Sequence, residues 1–280
     1  MITLEQLANG WNTFFFRPQS TYPLELFRIG FGVLVAIYGL LIVRAVRSHL
    51  APDAIFSLKR FEQAFGKKRF SLFSVLPASI LMVYAVIVCC ILAGICLAIG
   101  FCTRAASILA FLAIASLHHR NPGILNSGDT LMRLLSFLLM FSSAGKGWSL
   151  DAWMAGTWEA EAAPWSFRLM QIQVSMVYFH TFLWKMRGPK WRDGTAVWYA
   201  VQCDSFMRFP IPKFFMKPFF IRAATWSALM LELALSTLIW IEEFRFWLVC
   251  LGIAFHLSLE YVMNLQLFGW VMMTSLLLFL

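Results

Sequence analysis

The chain has 280 residues, of which 60% are hydrophobic and only 13% charged, a balance that excludes an ordinary soluble domain. Its formal net charge of +9 would suggest a nucleic-acid partner in a soluble protein. In a chain this apolar, basic residues between helices answer to membrane orientation and lipid headgroups, so membrane lipid is the expected partner and nucleic acid is not. The six cysteines, Cys89, Cys90, Cys96, Cys102, Cys203 and Cys250, form no C-x-x-C pair and lie mostly inside apolar runs, as small buried residues do, which argues against a disulfide framework.

Met1 to Gly10 lacks the basic start and continuous apolar stretch of a cleavable signal. Leu4, Leu7, Trp11, Phe14 and Phe15 recur at helical spacing, and residues 1–22 read as a helix lying in the membrane interface ahead of a transmembrane domain over 23–280. Within that domain most apolar runs are long enough to cross a hydrocarbon layer about 30 Å thick as a helix of roughly 20 residues. The expected fold is therefore an all-α, polytopic membrane bundle, with spans near 23–46, 78–100, 104–118, 129–144, 166–187, 220–241, 244–263 and 265–280. The third and fourth are short, so they must tilt, lie partly in the interface or be shielded by neighbours. The last ends inside the apolar run SLLLFL, either at the membrane surface or with further chain to follow.

Two connections are long. Residues 47–77 carry RFEQAFGKKRF and residues 188–219 carry basic residues among aromatics, as in FMRFPIPKFFMKPFF; both compositions suit the headgroup region. With eight spans, both long connections emerge on one side, which also holds most of the Lys and Arg. The positive-inside rule makes that side cytoplasmic, although basic residues lining an anionic substrate site give the same asymmetry.

Charges inside spans are costly and mark functional candidates. His180, Glu232 and His256 all fall near mid-membrane, and Lys185 overlooks them from the basic side. The motif HHRNPGILNSGDTLMR, from His118 to Arg133, breaks at Asn121-Pro122-Gly123 and re-enters a helix with Asp129 near its start. Asp129 and Arg133 are spaced to pair at i,i+4, which alone accounts for both. Together with Trp191-Arg192-Asp193-Gly194, these groups can converge on one cavity.

Each has a plainer reading. A lysine near a helix end snorkels, Glu232 and His256 can satisfy each other across consecutive helices, and His256 shares a face with Glu260. His118 and His119 are adjacent and so diverge, and no histidine or cysteine spacing supports a metal. Trp148-Ser149-Leu150-Asp151 reads as an interfacial turn that starts a helix.

YFHTFLWKMRGPKWRDGTA, HHRNPGILNSGD followed by WSLD, the early FRIGFG and FHLSLEYVMNLQLFGW resemble the HTTM (horizontally transferred transmembrane) domain family, which is similar to the membrane part of vitamin K-dependent gamma-glutamyl carboxylases. The resemblance implies that Lys185 is a base acting on a reduced vitamin K or another quinone, or on a small peptide substrate. Such a base must be a neutral amine, which a dry or cationic surrounding favours, and Arg187 and Lys190 are near in sequence. His180, Glu232 and His256 would be its polar partners. His118, His119, Arg120, Asn121, Asn126, Asp129, Arg133, Trp191, Arg192 and Asp193 would shape the substrate or cofactor site. A full carboxylase carries a large extramembrane domain that 280 residues cannot supply, and Asn126-Ser127-Gly128-Asp129 stands where the carboxylases have an asparagine-histidine motif. The alternative is a non-enzymatic peptide or lipid binder, or an accessory protein working with a separate soluble partner in maturing a secreted peptide. Either reading implies a multi-pass protein of a bacterial inner or cell membrane.

Overall fold

The computed structural model describes residues 3–52, 54, 63, 70–77 and 79–280. RFEQAFGKKRF therefore lies outside the described residues but for Gln63 and Phe70, as do Lys59, Arg60, Lys67, Lys68 and Arg69. The described chain is all-helical, with a single two-residue strand pairing, Gln19–Ser20 against Glu161–Ala162. Its α-helices are α1 (Leu4–Phe16), α2 (Tyr22–Ile42), α3 (Ile80–Ile99), α4 (Thr103–Arg120), α5 (Ser127–Leu139), α6 (Leu150–Ala155), α7 (Trp165–Arg187), α8 (Pro189–Arg192), α9 (Ala196–Val201), α10 (Pro218–Thr237), α11 (Glu242–Val262) and α12 (Phe268–Leu276).

Each stretch expected to span overlaps a helix, although Ser127–Leu139 and Phe268–Leu276 are shorter than the stretches expected over 129–144 and 265–280. Four are long and apolar enough to cross a membrane: Tyr22–Leu50, Ile80–Ile99, Pro218–Trp240 and Glu242–Val262. The chain divides into two compact units, Met1–Arg168 and Leu169–Leu280.

In the first unit, α1 starts from a capping box in which the Thr3 hydroxyl accepts from Gln6 N and the Gln6 side chain accepts from Thr3 N. It leaves Leu4, Leu7 and Trp11 exposed. Helix α2 opens with Pro23 in its first turn, where the missing N–H costs nothing, and packs on α3 through small residues. A Cβ on Gly32 would fall 2.4 Å from Ala98 N, and one on Gly94 would fall 2.5 Å from Ala36 N. Gly32 with Ala36 and Gly94 with Ala98 are thus two small-x-x-x-small faces in backbone contact, as close helix packing in lipid requires.

A buried pair of charges holds the start of α2. Arg28, 0% exposed, bonds the Glu25 carboxylate at 2.9 Å. It also donates to the carbonyls of Leu97, Ala98 and Trp148, while Glu25 Oε1 accepts from Gly145 N and Gly147 N at 2.9 and 3.1 Å. Nearly every bonding position of both groups is filled, which is the condition for keeping an ion pair away from water. Ser149 caps α6 by accepting from Ala152 N, so the turn at Trp148-Ser149 does start a helix. Asp151 then reaches back to accept from Cys102 N, Thr103 N and Thr103 Oγ1, each at 2.7 Å, and so caps α4. Desolvation pushes its carboxyl up, but these donors and Arg28 outweigh that and hold it below the ordinary aspartate range.

In the second unit, α8 and α9 each pack on or near α10, α10 packs on α11, and α11 packs on α12. The segment after α9 is tied to the end of α11 by an isolated bridge, Met207 to Met263. Arg208 lies 3.1 Å from Glu260 Oε2 and donates to Asn264 Oδ1 at 3.1 Å. Arg208, expected among headgroup-facing cations, is thus engaged with a buried carboxylate. Lys213 and Lys217 are both exposed, and Lys217 sits 5.1 Å from the Phe214 ring.

Candidate acid–base site

The second unit brings together Lys185, Glu232 and Trp191. Lys185 stands in the last turn of α7, Glu232 lies on the buried face of α10 and Trp191 belongs to α8, set by the Gly188-Pro189 turn. The Lys185 ammonium bonds Glu232 Oε1, and Nζ lies 4.6 Å from the centre of the Trp191 ring. The lysine side chain is 21% exposed and the glutamate 5%. Lys185 therefore does not snorkel freely. Its charge is held between a carboxylate and an aromatic face, two environments that suit a cation. Glu232 Oε2 is buried and has no hydrogen-bond partner among the described residues.

Tyr178 and His256 form a second pair beside the first. Tyr178, seven residues before Lys185 on the same face of α7, is buried, and its hydroxyl lies 2.9 Å from His256 Nε2. His256 Nδ1 is buried without a partner among the described residues. Glu232 and His256 thus do not satisfy each other: each has its own partner on α7. Spacing alone relates Tyr178 to Lys185, yet a tyrosine in an apolar run carries no sign of this role.

The other expected members of the unit lie elsewhere. His180 is on the exposed side of α7, where it accepts from Trp184 Nε1 at 2.7 Å. Arg187 lies over the Trp184 ring and Lys190 over the Tyr199 ring, so the two cations expected around Lys185 are directed to other aromatics. The bond to Tyr199 raises Lys190 above the ordinary lysine range. Arg192 is exposed, and Asp193 accepts from the Thr195 hydroxyl and N–H, which lowers its carboxyl. Gly194 then turns the chain at φ +80°, and a Cβ there would meet Arg222 Cγ at 3.0 Å and Trp226 at 3.1 Å.

The motif from His118 to Arg133 belongs to the first unit. His118 is fully buried and meets the Tyr38 ring edge-on at 5.5 Å. His119 Nδ1 bonds the Phe70 carbonyl. Arg120 donates to the Leu50 carbonyl and lies 4.7 Å over Phe73. Asn121 Nδ2 donates to the His49 carbonyl at 3.0 Å, while its Oδ1 accepts from Gly123 N. Arg120 and Asn121 thus latch the end of α4 to residues 49–50. Asp129 does not pair with Arg133 among the described residues. It completes a capping box with Asn126, accepting from Asn126 N at 2.8 Å while Asn126 Oδ1 accepts from Asp129 N at 3.0 Å. The four orphan N–H groups of the helix start win over a charge one turn away.

A chain whose described residues are all-helical, with four helices among them suited to crossing a bilayer and with charges paired inside apolar helices, is a membrane protein. Within that class the chain belongs to the HTTM domain family, whose model matches residues 16–280. No curated protein and no solved structure matches it.

Proposed function

We propose that this protein is a multi-pass membrane enzyme, with about eight spans behind an interfacial N-terminal helix, in which Lys185 and Glu232 form an acid–base couple. The couple acts on a lipid-soluble hydroquinone, or on a peptide brought to the membrane, in a site closed by Trp191. The observation that carries this reading is the ion pair of a buried glutamate with a half-buried lysine. A glutamate 5% exposed and joined to one lysine, with its second oxygen unengaged among the described residues, can exchange a proton without separating charge across a low-dielectric medium. The resemblance of the surrounding motif to the membrane part of the vitamin K-dependent carboxylases supports the choice of a reduced quinone. In that chemistry, removing the phenolic proton gives an oxyanion that reacts with oxygen, and apolar surroundings protect the products from water.

Oxygen-dependent conversion of a reduced naphthoquinone to its epoxide, measured on purified protein in lipid nanodiscs, tests the reading. Wild type is expected to turn over, and Lys185→Met to remain folded and lose activity. Absence of both turnover and quinol binding in wild type would leave the peptide-binding or accessory role as the better account.

A further inference from the structure

The Lys185–Glu232 couple could take a proton on either member, and the geometry distinguishes them. Lys185 Nζ is engaged on two sides, by donation to Glu232 Oε1 and by the face of Trp191 at 4.6 Å. Both are contacts that an ammonium makes. Arg187 and Lys190, which would favour a neutral amine by their charge, are turned to Trp184 and Tyr199. The carboxylate is engaged on one oxygen only. Glu232 Oε2 is a buried acceptor without a partner among the described residues, and an acceptor left in that state is costly until a ligand donates to it. A hydroxyl-bearing ligand fills that position, since it supplies the missing donor; an ether or a carbonyl does not.

We infer that Glu232 Oε2 is the atom that takes the substrate proton, and that Lys185 is the fixed cation beside it. This rests on the function proposed above and reverses the roles within its couple. In the step, the substrate O–H bond breaks, its electron pair stays on the substrate oxygen, and the proton forms a new O–H bond at Oε2. The negative charge moves from the carboxylate to the substrate oxygen while the Lys185 ammonium remains, so the net charge of the site is unchanged. The ammonium then balances the oxyanion. Tyr178, buried and bonded to His256, is a positioning residue on the α7 face that carries Lys185.

Two measurements test the assignment. The first is turnover in nanodiscs by Glu232→Gln and Lys185→Arg. Arginine keeps the cation but is never a base. Glu232→Gln is expected to lose about 10²–10⁴-fold, the usual worth of a general base, while Lys185→Arg, for loss of fit, loses no more than roughly tenfold. Inactive Lys185→Arg that still binds quinol, beside active Glu232→Gln, would overturn the assignment. The second needs no turnover and no folded arginine variant: infrared difference spectra on adding a reduced naphthoquinone without oxygen. A protonated-carboxyl band that appears in wild type and is missing in Glu232→Gln is expected. Quinol binding without that band overturns the role of Glu232 and leaves the proposed function standing. Failure of wild type to bind any quinol removes the reading beneath it, and the assignment falls too.

Discussion

Replacing Arg28 by methionine keeps the length of the side chain in α2 and deletes its charge. Arg28 is 0% and Glu25 1% exposed, so the carboxylate left behind has no access to water. Breaking a buried ion pair by removing one partner costs about 3–5 kcal/mol. Glu25 keeps its two backbone donors, Gly145 N and Gly147 N, but the carbonyls of Leu97, Ala98 and Trp148 lose theirs. The first effect places the cost near the lower end of that range and the second raises it, so about 4 kcal/mol is expected, a factor on the order of 10³ in the folding equilibrium. Unfolding in bicelles by a denaturing detergent, followed by tryptophan fluorescence, reads it. Glu25→Leu combined with Arg28→Met should cost less than the two single changes added, because no charge is then stranded. A loss below about 1 kcal/mol for Arg28→Met would refute the view that this pair holds α2 to α3 and the 145–148 turn.

Gly94→Val is expected to separate α2 from α3, since even a Cβ there would lie 2.5 Å from Ala36 N; a destabilisation of about 1–3 kcal/mol or more in the same bicelle titration checks it. Asp151 carries a lowered carboxyl, so its contribution is present above the unfolded aspartate pKa of about 3.9 and is lost as pH falls through the lower folded value. Asp151→Asn should therefore flatten the acid limb of the stability profile, and an unchanged limb would contradict the capping of α4. His180→Ala, on the exposed side of α7, is expected to change nanodisc turnover by less than about threefold, as for surface changes generally. Tyr178→Phe removes the hydroxyl from His256 Nε2 and should lower turnover while leaving quinol affinity within about twofold, since it acts on positioning.

Local hydrogen-bonding arithmetic was legible in the sequence. Asn121-Pro122-Gly123 stops one helix and the Trp148-Ser149 turn starts another, because both depend on residues within three positions; the capping box of Asn126 with Asp129 was missed, because spacing paired Asp129 with Arg133 instead. The helix positions follow from apolar length in the same way. Lys185 stood out because it is a charge in an apolar run. Glu232 stood out in the same way, as one of three expected polar partners, but that it is the one bonded to Lys185 was not legible, since 47 residues separate them and no spacing rule reaches that far. Reading depth alone paired Glu232 with His256, whereas the fold gives each a separate partner on α7. Arg187 and Lys190 were close to Lys185 in sequence, but rotation about the helix and the turn at Gly188 send them to other rings. Glu25 and Arg28 escaped notice because a charge pair in the first turns of a helix reads as a surface feature; only the approach of Leu97, Ala98 and the 145–148 turn buries it.

The central claim is that Lys185 and Glu232 act as one unit, and a double-mutant cycle on oxygen-dependent quinol turnover in nanodiscs tests it most directly. If they do, Lys185→Met, Glu232→Gln and the double variant lose activity to nearly the same level, because removing either member already disables the couple. Losses that multiply, or a Glu232→Gln variant that turns over like wild type, would contradict it.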